Sequence, residues 1–468
     1  MVPVGNRYRP AGVDNSKKAR PRKLVVALPA GLGVSLHLST MIWVYRLLFP
    51  FALVVMSPYY LLRMRRRGGY GDGFWHRFGL PPRIAPRRPG VRRVWLQAVS
   101  VGEMLAVEPI LRALNDDGTE VVLTTTTSTG FRVAAERYGS LAAAMAYFPV
   151  DWMPFSARAW DAISPDLAIV TEGERWPEHL HQAKGRRIPV ICINARISER
   201  SFRRLGRFPV AARFVLDGMS RLLAGSELDA ERFRELGFPP GRISVTGNIK
   251  LDVSIALLDD AGRAGLRREL GLPPGRLLLL GSSTWPGEEA ALVDALVSAR
   301  SQGVGCSLLI VPRHAERRAE IERLLRATGL SYHLRSQGPS PGAVDIAVGD
   351  TTGELRAMAQ LADLVFIGKS LPPHAEGQTP VEAAALGKAI LFGPGMANFS
   401  SIAQDLLDRG AARTVADAAA LARESVALLR DKAARDRISE AAAGWHRDNG
   451  GGVARTLEAI RAELGRRY

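Results

Sequence analysis

Two short stretches in the first half of the chain set acids beside small residues, SVGE at 100–103 and TEGERWP at 171–177. Glu103 comes just after the apolar run Val94-Trp95-Leu96 and opens the helical pattern EMLAVEPILRALNDDG. Ser100 as N-cap with Glu103 three residues on makes a capping box, and Gly102 lets the backbone pass close to a neighbour. Whether the carboxylate does more than cap depends on what else reaches that turn. Glu172 and Glu174 follow the strand candidate LAIV, and NARISERS puts Asn194, Arg196 and Ser198 after VICI. In the second half, GSSTWPGEE at 281–289 is a small-residue loop with Ser283 and Thr284 that opens a helix. That geometry presents backbone N–H groups to an anion. VPRHAER, carrying Arg313, follows SLLI; GDTTGEL brings Gly353, Glu354 and Leu355, and EGQTPVE brings Thr379 and Glu382.

These stretches sit at the ends of short apolar runs that alternate with helical patterns from Val91 onward. The strand candidates are VRRVWLQAV, EVVLTTTT, LAIVT, VICIN, RLLAG and ISVTG, then LLLLGSST, CSLLIVP, DIAVGD, LVFIG and AILFG. Such alternation predicts parallel sheets covered by helices. The pattern lapses near 252–275, and 468 residues are too many for one ordinary core. The reading is α/β, with two doubly wound, Rossmann-like domains facing a cleft, over 68–245 and 246–445. The Ala/Arg-rich end, 446–468, is expected to be a helix packing back across that cleft. Ligands in such sheets bind at the carboxyl ends of the strands.

Residues 42–62, IWVYRLLFPFALVVMSPYYLL, are long enough to cross a bilayer, which takes roughly 20 residues. Tyr and Trp flank the segment, and Arg63, Arg65, Arg66 and Arg67 follow, placing the rest of the chain on the cytoplasmic side. Pro50, Pro58 and Arg46 argue instead for a shallow interfacial helix. The membrane anchor and its basic flank are therefore assigned to 41–67. Residues 1–40, basic and without periodicity, are read as a disordered or mis-annotated extension, with Met41 as the expected start.

The formal charge is +17, from 63 Lys and Arg against 46 Asp and Glu. Such a balance seeks phosphate on nucleic acid, on an anionic membrane or on a substrate. No recognition helix, zinc finger or RNP-like motif accompanies it, so nucleic acid is not expected as a partner. Cys192 and Cys306 lie inside apolar runs and read as buried thiols. The eight histidines show no metal-ligand spacing, so no metal site is expected.

Taken in order, these motifs resemble the 3-deoxy-D-manno-octulosonic acid (Kdo) transferases of glycosyltransferase family 30, from about Arg46 to Ala462. The resemblance implies a GT-B architecture with an N-terminal membrane anchor helix. It also implies metal-free, inverting transfer of Kdo from CMP-Kdo to the phosphorylated lipid A precursor of lipopolysaccharide, with no cofactor, on the cytoplasmic face of the inner membrane among its anionic lipids. By the same resemblance SVGE is the acceptor-domain motif and Glu103 its catalytic base, with Ser100, Gly102, Glu172, Glu174 and Arg196 on the acceptor side. Glu172 and Glu174 also read as solvated turn acids, and Arg196 and Arg200 as surface arginines. On the donor side stand Ser283, Thr284, Arg313, Gly353, Glu354, Leu355, Thr379 and Glu382. Glu382 takes the ribose hydroxyls and Arg313 the phosphate.

The chain departs from the family pattern in three places. Trp285 stands where many members have histidine, EGQT at 376–379 where many read GGHN, and Lys369 where glycine is usual. These leave two rivals: a GT-B enzyme using another nucleotide sugar, and an inactive membrane-bound protein that binds anionic lipid or nucleic acid.

Overall fold

The structure, a computed structural model, describes residues 32–66, 71–253 and 255–466. Two seven-stranded sheets carry the fold, and every strand pairing is parallel. The first holds β1 (Arg93–Gln97), β2 (Glu120–Thr125), β3 (Ala144–Tyr147), β4 (Leu167–Thr171), β5 (Val190–Ala195), β6 (Arg221–Ala224) and β7 (Ile243–Val245), in the order 3-2-1-4-5-6-7. The second holds β8 (Leu277–Thr284), β9 (Cys306–Pro312), β10 (Tyr332–Leu334), β11 (Ile346–Val348), β12 (Leu364–Ile367), β13 (Ala389–Phe392) and β14 (Arg413–Thr414), in the order 10-11-9-8-12-13-14. Helices cover both faces, so β1, β4, β5, β9, β12 and β13 are buried at every position and largely apolar, with Arg93, Gln97, Thr171, Asn194 and Ser307 as buried polar exceptions.

The strand order reverses between β1 and β4 in the first sheet and between β8 and β12 in the second. These switch points are where a doubly wound sheet opens a crevice at its carboxyl edge. Three strands, β3, β10 and β14, are not among the sequence candidates, and all three are sheet edges.

The last helix ties the two units together. The helix Lys432–Asn449 stays on the second domain, where Trp445 is buried in its core. Residues 446–449 therefore finish that helix instead of opening the terminal one. After Gly451, in the left-handed region (φ 75°), the helix Gly452–Leu464 crosses to the first domain. There Leu457 and Ile460 join the core built by Leu96, Met104 and Leu111. The crossing is clasped by Asp252, which accepts from the backbone N–H groups of Gly451 and Val453. Arg455 donates to the Thr246 carbonyl (2.9 Å), and Arg461 pairs with Asp117 (2.7 Å).

The N-terminal helix, Leu32–Arg66, begins before Met41, so residues 32–40 of the expected extension are helical; residues 1–31 lie outside the described residues, as does Arg67 of the basic flank. Its stretch Thr40–Leu62 is long and apolar enough to cross a membrane, and large side chains such as Leu47, Phe51 and Val55 are exposed. Arg46, the charge within it, does not face outward. It makes a two-pronged pair with the fully buried Glu178 (2.7 and 2.9 Å). Tyr45 donates to the buried Asp151 (2.6 Å), and Trp152 donates to the Arg46 carbonyl (3.3 Å). Next to these contacts, the Val150 N–H donates to the Arg77 carbonyl (2.9 Å). The chain thus contacts the first domain at Arg46 and is back on it by Gly73–Arg77, with Arg46 and Arg77 both set against residues 150–152.

Candidate active site

At the switch point of the first sheet, the turn after β1 feeds the helix Val101–Asp116. Ser100 is its N-cap, with extended backbone, and its hydroxyl oxygen accepts the Glu103 N–H (3.4 Å). The Glu103 side chain folds back over the turn. One oxygen accepts from the Ser100 hydroxyl (3.1 Å), the other from the Val99 N–H (3.0 Å) and from the hydroxyl of Thr171, the last residue of β4. The capping box is therefore real, but it is turned toward β4, and Thr171 completes it from across the switch point. A Cβ on Gly102 would meet no protein atom within 4 Å, so the fold alone does not demand glycine there.

Glu172 and Asn194, one residue past β4 and near the end of β5, both hold left-handed backbones (φ 53° and 50°). Glu172 accepts from the Asn194 amide (3.3 Å) and pairs with Lys250 on the connection between the domains. Asn194 Oδ1 is buried without a partner among the described residues. Glu174 accepts the indole N–H of Trp176. Burial pushes its carboxyl up to about 7; the Trp176 bond opposes this and the charges of Glu103 and Glu172 add to it. Arg196 is exposed and carries no side-chain partner among the described residues. The structure thus gathers Glu103, Glu172 and Glu174 into one acidic cluster. Thr171 gives no sequence signal for this role, because it reads only as the end of a strand. Lys250, from its place at the domain junction, reads either as facing the cleft or as part of a hinge, and it pairs with the cluster.

The donor-side residues divide. Arg313, just past β9, is exposed, with a guanidinium free of partners among the described residues, and only its backbone N–H is used, on the Thr284 carbonyl (3.2 Å). Thr284 does not suit the phosphate contact expected of it. It is fully buried and donates to Glu289 (2.8 Å), which Arg317 also holds (2.6 Å). Residues 281–284, expected as loop, finish β8, and Ser283 takes a left-handed backbone (φ 57°) at the register shift before Thr284, partly exposed. Glu354 is likewise committed, accepting from Arg335 (3.1 Å) and the Thr351 hydroxyl, and Arg335 holds its carboxyl below the usual carboxylate range. The helix that Gly353, Glu354 and Leu355 were expected to open is a single turn, Leu355–Met358, and Leu355 leans on the core. Little helix dipole is left there for a phosphate. Thr379 accepts the Val381 N–H (3.3 Å) at the start of Val381–Ala385. Glu382, in that first turn, stands 3.6 Å from Arg356 and is partly exposed.

Residues 72–253 match the family profile described as 3-deoxy-D-manno-octulosonic-acid transferase (kdotransferase). The 3-deoxy-D-manno-octulosonic acid transferase of Bordetella pertussis is 33% identical over 432 residues, covering 89% of this chain and 99% of that protein. The Haemophilus influenzae protein of the same name is 30% identical over 88% of this chain and 94% of its own length. Among solved structures, the UDP-GlcNAc 2-epimerase of Neisseria meningitidis shares the two-domain GT-B fold at 13% identity. It covers 80% of this chain and 99% of its own, with a TM-score of 0.52.

Proposed function

The chain belongs to the Kdo transferases, a family of glycosyltransferases, and on that premise we propose that it moves Kdo from CMP-Kdo to a hydroxyl of a lipid A precursor with Glu103 as the general base. The observation that carries the reading is the Glu103 carboxylate at the switch point of the first sheet. It is partly exposed and oriented by three donors, Val99, Ser100 and Thr171. The acceptor oxygen attacks the anomeric carbon of the donor and its proton passes to Glu103. The bond from that carbon to the phosphate oxygen breaks, CMP leaves from the opposite face, and the configuration inverts. In this reading Arg313 neutralises the departing phosphate, a task that elsewhere falls to a metal, and Glu382 receives the ribose hydroxyls. Lys250, bridging the connection to Glu172, ties the position of the acid cluster to that of the second domain.

The basic surface and the apolar helix hold the enzyme at an anionic membrane, assigned here to the cytoplasmic face of the inner membrane, with nucleic acid outside its partners. Contacts of Arg46 and Arg77 with residues 150–152, on either side of the exposed apolar stretch, support a helix inserted shallowly.

The test is transfer from CMP-Kdo, generated in situ, to a bisphosphorylated lipid A precursor by the full chain in detergent, wild type beside Glu103→Gln. A base of this kind contributes about 10²–10⁴-fold, and the variant is expected to lose that much rate. Equal product from both demotes Glu103 to a helix cap. A wild type that binds CMP but makes no product overturns the assigned donor sugar or acceptor.

A further inference from the structure

We propose that Lys369 is the cation that receives the carboxylate of the donor's sugar acid, held ready for it by Trp285 and Glu376. The proposal rests on the Kdo transferase reading above and adds a residue in which this chain departs from the family pattern.

The second sheet reverses between β8 and β12, so its crevice lies between the turns that follow those strands. The two turns press on each other: a Cβ on Gly368 would lie 2.4 Å from the Ser283 carbonyl oxygen. Ser283 and Lys369 both take left-handed backbones (φ 57° each), which turn successive N–H groups inward. Turns of this kind usually offer those N–H groups to a bound anion. Here they are already occupied. The buried carboxylate of Glu288 accepts from the backbones of Lys369 (2.7 Å), Ser370 (2.8 Å), Leu371 (3.1 Å) and Trp285 (2.9 Å). An anion arriving at this switch point has to be met by side chains.

The side chain in place is Lys369. Its ammonium lies 4.2 Å from the centroid of the Trp285 ring and 3.4 Å from the Glu376 carboxylate. The indole is met edge-on by His314 (5.3 Å) and His374 (5.9 Å), and its own N–H is enclosed without an acceptor among the described residues. His374 is fixed in turn against the Pro286 carbonyl (2.9 Å). Trp285, Lys369 and Glu376 are among the positions where the sequence leaves the family pattern, and in the fold Lys369 touches both of the others. A lysine placed alone on this half-buried turn would be a charge without compensation; the indole face and Glu376 supply it.

A nucleotide ester of a sugar acid carries two anions, the phosphate and the sugar carboxylate. Arg313, next in sequence to the His314 that meets the indole, is exposed and without a side-chain partner among the described residues, and it is the cation that suits the phosphate. Lys369 then suits the carboxylate. Glu376, on an exposed loop, is the weakly held partner that the incoming carboxylate replaces.

The test uses the full chain in detergent, with CMP-Kdo generated in situ. The KM for the donor is read together with the inhibition constant of CMP, which has the phosphate and lacks the sugar acid. Lys369→Gln is expected to raise the donor KM about 10- to 100-fold and leave CMP inhibition within about twofold, since a bond to a charged group is lost only with the donor. Glu376→Gln, which frees the lysine, is expected to lower the donor KM by about twofold or more, a direction that a merely structural contact would not give. Unchanged KM in both variants overturns the proposal, and so does a parallel loss of donor and CMP, which would place Lys369 on the phosphate. A wild type that binds CMP but does not transfer Kdo overturns the functional reading and this assignment with it.

Discussion

Replacing Arg46 by alanine tests the docking of the N-terminal helix on the first domain. Glu178 has no exposed side-chain surface, and without Arg46 its carboxylate keeps only the Gln182 amide (2.6 Å). Removing one partner of a buried pair costs about 3–5 kcal/mol when the survivor stays charged. Glu178 has an escape, because it can take up a proton. From an ordinary value of 4.5 that escape caps the electrostatic part near pH 7 at roughly 3.4 kcal/mol, at 1.36 kcal/mol per unit. The cap shrinks as pH falls toward the ordinary carboxylate value. In the wild type the sign is opposite. Arg46 and Gln182 outweigh burial and hold Glu178 below 4.5, so its contribution is full above that value and fades in acid. The loss in Arg46→Ala should therefore be greater near pH 7 than near pH 5, by up to about 2.7 kcal/mol at 1.36 kcal/mol per unit. The double variant Arg46→Met/Glu178→Met should return to within about 1 kcal/mol of the wild type, since an apolar pair of similar volume replaces a buried ion pair at little cost. Urea unfolding followed by tryptophan fluorescence, in detergent at the two pH values, measures all three. A loss below about 1 kcal/mol that does not change with pH would mean that the helix is not held by this pair.

Glu174 gives a second pH signature. Its carboxyl, raised to about 7 against an ordinary 4.5, keeps a proton in the folded chain that the unfolded chain has released, so stability falls as pH rises through that window and levels off above it. Glu174→Gln should flatten a slope worth roughly 3 kcal/mol at most, read from urea midpoints near pH 5 and pH 8, and a variant that keeps the slope would acquit Glu174. Gly368→Ala pushes a Cβ to 2.4 Å from the Ser283 carbonyl oxygen, backbone against backbone. It should destabilise the second domain by about 1–3 kcal/mol and weaken CMP binding, whereas an unchanged thermal midpoint would contradict the close approach of the two turns. Arg313→Ala should weaken CMP binding about 10- to 100-fold by equilibrium dialysis, with a smaller gap at high salt, and an unchanged affinity would remove Arg313 from the phosphate.

Central strands of a parallel sheet are buried on both faces, so β1, β4, β5, β9, β12 and β13 stand out in the sequence as largely apolar runs. Three of the four edge strands, β3, β10 and β14, pair on one side only and left no signal, while the fourth, β7, was legible as ISVTG. The capping box at Ser100 and Glu103 was legible because both partners lie within one turn of chain. So was the family, through the order of its motifs. Which way each side chain turns was not. Thr284 reads in the sequence as part of a loop that meets an anion, yet it ends β8 and its hydroxyl goes inward to Glu289, a choice made by the packing of the helix that follows. Thr171 reaches Glu103 across 68 residues, and Arg46 reaches Glu178 across 132. Lys369, Trp285 and Glu376 come together because the sheet order sets the turns after β8 and β12 side by side. Local pattern determined the elements, the two units and the chemistry on offer at their strand ends. Strand order alone decided which of those ends face each other, because pairing between distant segments leaves no trace in either segment by itself.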